Sequence, residues 1–218
     1  MEKINKVAEV SFLFWLMKIF ATTLGKTMGN YIVQTLDLFY TIVLIVTMVF
    51  FLLVLAVQLH AKKHISLFYW LVIIATSALG TDISDFVDRS WYLGYTIGSL
   101  FLYSGLLLTL LLWHKKFKNL NVYPKTDRNK EIYYWVAIVF SNSLGAAFGD
   151  YLSDVIGLSY INGAFFTTGI ILTVVLLHYG TKVNHIILFW VAFIFTRPFG
   201  ASFGDLLTKA VAKEDWIW

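Results

Sequence analysis

The sequence predicts an all-α membrane protein, a polytopic bundle of seven transmembrane helices made of tandem two-helix repeats of which the last is incomplete. Three observations support this prediction. The 218 residues are 59% apolar and 14% charged, with a mean hydropathy of +0.73, whereas a soluble domain carries nearly twice that charged fraction. Several apolar runs approach the ~20 residues that cross a bilayer. A motif built on Trp and Gly recurs four times, which indicates a repeat architecture.

The apolar runs define the predicted spans. They cover residues 9–33, 39–60, 67–87, 95–114, 132–153, 160–178 and 188–207. The spans pair into hairpins within a single membrane domain, residues 1–218. The corresponding repeats cover about residues 9–60, 67–114, 132–178 and 188–218, and a basic cytoplasmic linker is predicted at 115–131. The second helix of the fourth repeat is not within the sequence. It is absent, it is lost by truncation, or a neighbouring chain fills its place.

The distribution of Lys and Arg predicts the orientation. One side of the predicted membrane carries 11 of these residues in loops and the other side carries 3, and basic loops stay in the cytoplasm. The N-terminus is therefore expected inside and the C-terminus outside, with the four odd helices parallel. No removable signal peptide is expected. The chain has no Cys, which excludes disulfides and thiol catalysis, and the basic charge is attributed to topology rather than to nucleic-acid binding.

Each repeat is numbered here from its Trp, which is Trp15, Trp70, Trp135 or Trp190. Position +10 is Gly in all four repeats. Positions +6, +10 and +14 share a helix face and carry small residues, as in membrane helices that pack closely. The glycines predicted to mediate this packing are Gly25, Gly29, Gly80, Gly145, Gly149, Gly200 and Gly204.

An adjoining stripe at positions +7, +11 and +15 is polar at both ends in every repeat. Four helices with polar stripes do not face lipid, so we expect the odd helices to converge on a shared interior with the even helices outside. The residues predicted to line a cation-binding site or pathway there are Thr22, Lys26, Asn30, Ser77, Asp82, Asp85, Asn142, Asp150, Arg197 and Asp205.

Ionisable residues inside a membrane indicate a functional site by default. Carboxylate, amide and hydroxyl oxygens suit Mg²⁺, Mn²⁺ or Ca²⁺, and the predicted ligands of such a divalent cation are Asp85, Asp150 and Asp205. Clustered carboxylates also carry protons. We therefore expect a transporter or channel for a small cation, either a divalent metal ion or a proton. No hydrolytic triad or phosphate-binding loop is present, so no enzyme activity is expected.

The alternative is a non-transporting structural or regulatory membrane component. In this interpretation Lys18, Lys26 and Arg197 form packing salt bridges with the intramembrane aspartates. The uncovered flank expected beside the seventh span would then bind a second copy of the chain.

The repeated Trp, Leu-Gly, Gly-Asp and Gly-Tyr elements resemble a family of bacterial integral membrane proteins. That family is built of four tandem two-helix repeats of unknown function and is often labelled uncharacterised membrane-anchored protein. The resemblance covers nearly the whole chain and implies a compact bundle in the bacterial inner membrane, with no established activity. The first repeat departs from the family pattern, because Lys26 and Asn30 stand where acidic residues are common.

Overall fold

A computed structural model describes residues 8, 10–36, 40–61, 64–91, 93–121 and 127–214, although the surroundings of residues 29–36, 40, 89, 160 and 204–214 are not described. Over this part of the chain the protein is all helical and contains no strand. Its seven long helices are α1 (Phe12–Leu36), α2 (Tyr40–His60), α3 (Ser66–Asp85), α4 (Gly94–Phe117), α5 (Arg128–Asp150), α6 (Tyr160–Gly180) and α7 (His185–Glu214).

The helices match the predicted spans, and the largest differences lie at the ends of α5 and α7. Six of the described helices, α2 to α7, are long and apolar enough to cross a membrane. The chain is therefore a membrane protein with an all-α fold, as predicted. Helix α5 begins at Arg128, inside the predicted linker, because the Asp127 side chain caps it by accepting a hydrogen bond from the Asn129 amide at 2.8 Å. A carboxylate at this position satisfies an otherwise unpaired amide of the first turn.

The four odd helices form a closed ring. Helix α1 packs on α3, α3 on α5, α5 on α7, and α7 returns to α1. More than half of the spanning residues of α3, α5 and α7 are buried, against less than a third in α2, α4 and α6. The odd helices are thus central and the even helices peripheral, as the polar stripes predict.

Glycine at position +10 allows each pair of neighbouring odd helices to approach closely. In every pair this glycine faces position +7 of the next helix around the ring. A Cβ added to Gly80, for example, would lie 2.9 Å from the backbone carbonyl carbon of Asn142, which is too close for two non-bonded atoms. The four contacts are Gly25 with Ser77, Gly80 with Asn142, Gly145 with Arg197, and Gly200 with Thr22. Because the register is the same in all four pairs, the odd helices run parallel.

The even helices are displaced by one repeat. Helix α2 packs mainly on α3, α4 on α5 and α6 on α7, whereas α2 has little contact with α1. Among the described residues, the odd helix with an uncovered outer face is therefore α1, and α7, beside which the sequence analysis placed the flank, is covered by α6. The exposed apolar residues of this face are Phe12, Leu13, Leu16, Met17, Phe20, Leu24 and Met28.

A π-helical turn follows the aspartate at position +15 in the second and third repeats. It covers Phe86–Ser90 after Asp85 and Tyr151–Val155 after Asp150. Short π segments within helices are frequent at functional sites. The sequence analysis did not predict these turns, and their common position links them to the repeated motif.

Candidate functional site

The interior of the ring is built of layers, because side chains three or four residues apart lie above one another on a helix. Successive layers are separated by about 5–6 Å, from the rise of 1.5 Å per residue. Equivalent positions of the four odd helices form each layer. The end of the ring nearest the tryptophans is called the Trp end below, and the end that holds positions +12 to +15 is called the Asp end.

Two mainly apolar layers, at positions −1 and +3, close the Trp end. All eight side chains are buried, and together they are called the barrier. At position −1 the barrier contains Phe14, Tyr69, Tyr134 and Phe189, and at position +3 it contains Lys18, Ile73, Ile138 and Phe193.

Aromatic contacts join one repeat to the next around the barrier. Tyr69 contacts Trp135 with ring centroids 5.5 Å apart, and Phe14 contacts Trp70 at 5.8 Å. Phe189 of the fourth repeat contacts Trp15 of the first at 5.6 Å. Pairs at such distances stabilise a core beyond the area that they bury, so the rings strengthen the packing between repeats at these three junctions.

Lys18 is the one charged side chain among the eight barrier residues. It is completely buried, and its Nζ atom lies 3.5 Å from the centroid of the Phe193 ring. The Nζ atom also donates a hydrogen bond to Asn142 Oδ1 at 3.0 Å, which crosses the ring from α1 to α5. Asn142 Nδ2 in turn donates to Thr76 Oγ1 at 3.0 Å. Lys18 therefore reaches from the barrier into the polar layer above it.

Arg197 occupies that polar layer, at position +7 of α7. It is completely buried and spans the other diagonal of the ring. Nη1 donates to the Thr22 carbonyl at 2.9 Å, Nη2 donates to the Ser77 carbonyl at 2.9 Å, and Nη2 also donates to Thr81 Oγ1. The guanidinium thus joins three of the four helices, and Thr22, Ser77, Asn142 and Arg197 fill position +7.

Carboxylates begin about one and a half turns above this layer. Asp82 on α3 is 4% exposed and interacts electrostatically with Arg197 and by a hydrogen bond with Thr47 of α2. Its Oδ2 atom has no hydrogen-bond partner among the described residues. A buried carboxylate oxygen without a donor is costly in an apolar interior, which indicates that Asp82 is not present only to hold the helices together.

A second lysine of α1 reaches across the ring near the Asp end. Lys26 Nζ lies 3.4 Å from Asp150 Oδ1, and the two side chains are 11% and 19% exposed. The pair repeats the geometry of Lys18 and Asn142 two helical turns higher, since both partners are displaced by eight residues. A small pocket beside the pair is lined by residues that include Ser153, Ser159 and Ser202.

Asp85 and Gly149, at positions +15 and +14, belong to the Asp end of the ring. Asp85 is half-buried, and a Cβ added to Gly149 would lie 3.4 Å from the Pro198 side chain, which is an ordinary contact distance. The surroundings of Gly29, Asn30, Gly204 and Asp205 lie outside the described residues. Within the described residues no group of three or more His, Asp or Glu side chains is arranged to hold a metal ion, so a divalent cation at Asp85, Asp150 and Asp205 stays a prediction.

A polar cluster at the Trp end was not predicted from the sequence. Tyr69 and Tyr134, both fully buried, share a hydrogen bond of 2.7 Å between their hydroxyl oxygens. Glu131, also fully buried, accepts a hydrogen bond from Gln58 Nε2 at 3.4 Å and acts electrostatically on Tyr134. One signal was available, because Tyr occurs at position −1 in the two central repeats where the outer repeats have Phe.

Lys18 was likewise not among the predicted pathway residues. Its signal in the sequence is the spacing of eight residues from Lys26, which places both lysines on one face of α1.

Comparison with known protein families matches residues 13–64, 68–118, 133–184 and 188–214 to a family described as Repeat of Unknown Function (DUF347). The chain belongs to this family. The resemblance noted in the sequence is thereby confirmed. The fourth match covers the half of the repeat that contains α7, whereas the other three cover both helices. No curated protein and no solved structure matches the chain.

The repeat explains the arrangement of this DUF347 interior. The four repeats place equivalent positions at the same depth of the ring. A residue that differs in one repeat therefore changes one of the four side chains of its layer. Lys18 and Lys26 are such residues in the first repeat, Asn142 is one in the third repeat and Arg197 is one in the fourth. The resulting interior has fixed cationic groups in its middle, carboxylates at both ends and hydroxyl groups between them, which is an arrangement capable of accepting and releasing protons.

Proposed function

We propose that the chain is an integral membrane transporter or channel that carries protons through the interior of the ring. The observation that supports this proposal is the complete burial of Lys18 and Arg197 beside the buried carboxyl group of Asp82. Charged side chains are expensive inside a membrane and mark ion or proton pathways. Lys18 and Arg197 also bond to the helices opposite their own across the ring, which supports a pathway through its interior.

Protons are favoured over divalent metal ions by the charges in the centre. Lys18 and Arg197 are two cationic groups close enough to interact electrostatically, and the carboxyl group of Asp82 interacts with Arg197. A metal ion at this depth would meet net repulsion, which is strong where the dielectric constant is low. A proton is instead transferred between groups that are already in place.

The test is proton flux into liposomes that contain the purified protein and a trapped pH-sensitive dye. With an imposed pH gradient and a potassium clamp on the membrane potential, the protein should dissipate the gradient faster than empty liposomes do. The double variant Asp82→Asn with Asp150→Asn should reduce this flux. Wild-type flux equal to that of empty liposomes would contradict the proposal.

Divalent transport is examined in the same preparation. The variant Lys26→Glu with Asn30→Asp restores the acidic residues that are common in the family, and under the metal hypothesis it should gain thermal stability in millimolar Mg²⁺, Mn²⁺ or Ca²⁺. A gain that disappears when Asp150→Asn is added would favour a metal ion over the proton. We expect no gain, because Lys18 and Arg197 remain in place.

A structural or regulatory component is the second candidate. It is favoured by the hydrogen bonds of Lys18 and Arg197, which tie opposite helices of the ring together. In this case the outer face of α1 would bind a second copy of the chain. Crosslinks between copies through Leu16→Cys or Leu24→Cys, together with the absence of flux, would favour this candidate, whereas a strictly monomeric protein in mild detergent would count against it.

We further propose a location in the bacterial inner membrane, with the N-terminus in the cytoplasm and the C-terminus outside. The excess of Lys and Arg in the loops at the Trp end supports this orientation. In intact cells an impermeant thiol reagent added outside should label a Cys at Val155 and not one at Asn121. The opposite pattern would reverse the orientation.

A further inference from the structure

We propose that His178 and His185 form a binding site for a divalent transition-metal ion of the class of Zn²⁺, Ni²⁺ or Cu²⁺. The two residues lie on either side of the turn that joins α6 to α7, and both are exposed. The site is separate from the interior of the ring and does not depend on the proposed proton pathway. A bound ion would link the end of α6 to the start of α7.

The distance between the two imidazole rings fits two ligands of one metal ion. The Nδ1 atoms of His178 and His185 lie 3.0 Å apart, and the ring centroids are separated by 4.6 Å. An imidazole nitrogen binds Zn²⁺ at about 2.0–2.1 Å. Two nitrogens at that distance from one ion are about 2.9 Å apart when its bonds meet at right angles, and about 3.3–3.4 Å apart in a tetrahedral site. The observed separation lies between these values.

The same pair shares a hydrogen bond when no metal is bound, in which one Nδ1 atom donates and the other accepts. Metal binding requires a lone pair on both Nδ1 atoms, so the donor ring exchanges its proton through solvent from Nδ1 to Nε2, and a neutral pair releases no net proton. Because both rings are exposed, they can turn about χ2, which has a broad distribution in histidine. Water completes the coordination of the ion, as it does in open metal sites.

The backbone on both sides of the turn is held in place. One histidine lies in the last turn of α6, and the other is the first residue of α7. Between them, the Thr181 amide donates to the Leu177 carbonyl at 3.1 Å, and Asn184 Oδ1 accepts a hydrogen bond from the Ile186 amide at 2.9 Å. Helices α6 and α7 also pack extensively on each other. Ligands carried by rigid elements lose little freedom when they bind.

The second histidine distinguishes this turn from the corresponding places in the other repeats. His185 is at position −5 of its repeat, where the other three repeats have Val10, Ile65 and Lys130. Those side chains offer no imidazole nitrogen, which is the ligand that suits Zn²⁺, Cu²⁺ and Ni²⁺. His114 is likewise exposed in the last turn of an even helix, α4, and is therefore the matched control for a histidine at a helix end.

The test is Cu²⁺ binding to the protein, purified in detergent without a polyhistidine tag. Cu²⁺ is the probe because it binds most tightly among the divalent first-row ions and because its electron paramagnetic resonance spectrum reports nitrogen ligands. We expect one ion per chain with two imidazole nitrogens, displaced in competition by excess Zn²⁺ or Ni²⁺. Loss of even an outer-shell partner weakens metal binding by about 10–100-fold, so His178→Gln and His185→Gln should each weaken it by about tenfold or more. His114→Gln should leave it unchanged.

Thermal unfolding provides a second measurement. A ligand that binds only the folded state raises the unfolding temperature, so Cu²⁺ or Zn²⁺ should raise it in the wild-type protein and not in the double variant of His178 and His185. Unfolding without metal shows whether each variant is folded. If a variant of the pair is not, the combined His60→Gln, His64→Gln and His114→Gln variant decides the question, because it retains only the two proposed ligands.

Two results would overturn the inference. One is the absence of binding to the wild-type protein or to the variant that retains only the pair. The other is equal affinity in the double variant of the pair, or a spectrum without two imidazole nitrogens, either of which would indicate an adventitious ion only. Neither result bears on proton flux, so the proposed function is tested separately.

Discussion

The two ends of the ring have the same backbone arrangement and different chemistry. At the Trp end the four repeats contribute similar residues, and rings from successive repeats contact one another at centroid distances of 5.5–5.8 Å. At position +7 the repeats differ, so that Thr, Ser, Asn and Arg share one layer. The aromatic end keeps the approximate fourfold symmetry of the repeat, and the polar part departs from it.

This difference indicates how a symmetric ring accommodates charge. Four identical charges in one layer would repel one another in an interior of low dielectric constant. One arginine among neutral partners can instead donate to two other helices of the ring, as Arg197 of α7 does to α1 and α3. Loss of symmetry is therefore a physical condition for charged groups in this interior, and the symmetric end is the one suited to sealing.

The largest expected effect tests the polar part of the ring. Arg197→Met removes the cation that compensates Asp82, and breaking a buried charge pair in this way costs about 3–5 kcal/mol of unfolding free energy. Adding Asp82→Asn should recover much of this loss, because no charge is then left alone. Thermal unfolding in detergent, followed by circular dichroism, measures both variants.

Arg128→Gln is the control for that comparison, since Arg128 is exposed at the start of α5. It should change stability by less than about 0.5 kcal/mol. Equal effects at Arg128 and Arg197, or no recovery in the double variant, would contradict the proposed compensation.

A glycine substitution tests the close packing that both ends share. Gly80→Ala should lower the free energy of unfolding by about 1–3 kcal/mol, which is the usual cost of overpacking. The reason is that the added Cβ would lie 2.9 Å from backbone atoms of Asn142 and Ser143. Gly169→Ala in α6 has open space around it and should stabilise by up to about 1 kcal/mol through helix propensity. Chemical denaturation of the two variants side by side checks the sign of each change.

The barrier should respond more weakly to loss of one hydroxyl group. Tyr69→Phe removes the 2.7 Å hydrogen bond to Tyr134 and should cost about 1 kcal/mol. The other single change, Tyr134→Phe, should lower the unfolding free energy by a similar amount. The double variant should lose less stability than the two single variants together. Additive losses in this double-mutant cycle would mean that the two hydroxyl groups do not depend on each other.

The smallest effect is expected at the Asp end. Lys26→Met removes a pair whose atoms lie 3.4 Å apart and whose side chains are partly exposed, and such pairs contribute up to about 1 kcal/mol. The stability lost in this variant should be smaller still in 0.5 M salt, because mobile ions screen exposed charges. An effect as large as that of Arg197→Met would place Lys26 among the structural cations of the centre.

Sequence periodicity was sufficient to predict the ring itself. Glycine at one offset from each Trp indicates close helix packing, and a polar stripe beside it indicates which face turns inward, so the central and peripheral helices follow. The contacts made by long side chains do not follow from periodicity. Lys18 and Lys26 pair with α5, the helix opposite α1, because each side chain is long enough to cross the ring, and offset patterns describe only the helix on which a residue lies.

Helix ends were predicted less closely for local reasons. The capping carboxylate of Asp127 starts α5 within a segment predicted as linker. The π turns after Asp85 and Asp150 depend on an altered hydrogen-bond register that leaves no mark in composition. The sequence did not predict that each even helix packs on the odd helix of the next repeat. An apolar helix is equally suited to packing on its own repeat or on the next one.

That displacement has a consequence for how the chain assembles. Each even helix is synthesised before the helix that it will cover, so a newly inserted hairpin has no finished partner surface until the following hairpin enters the membrane. Division of the chain between α4 and α5 would separate two helices that pack extensively on each other, although every repeat would remain whole. Fragments 1–121 and 122–218, produced together, are therefore expected to find each other in the membrane and co-purify, each supplying the surface that the other requires.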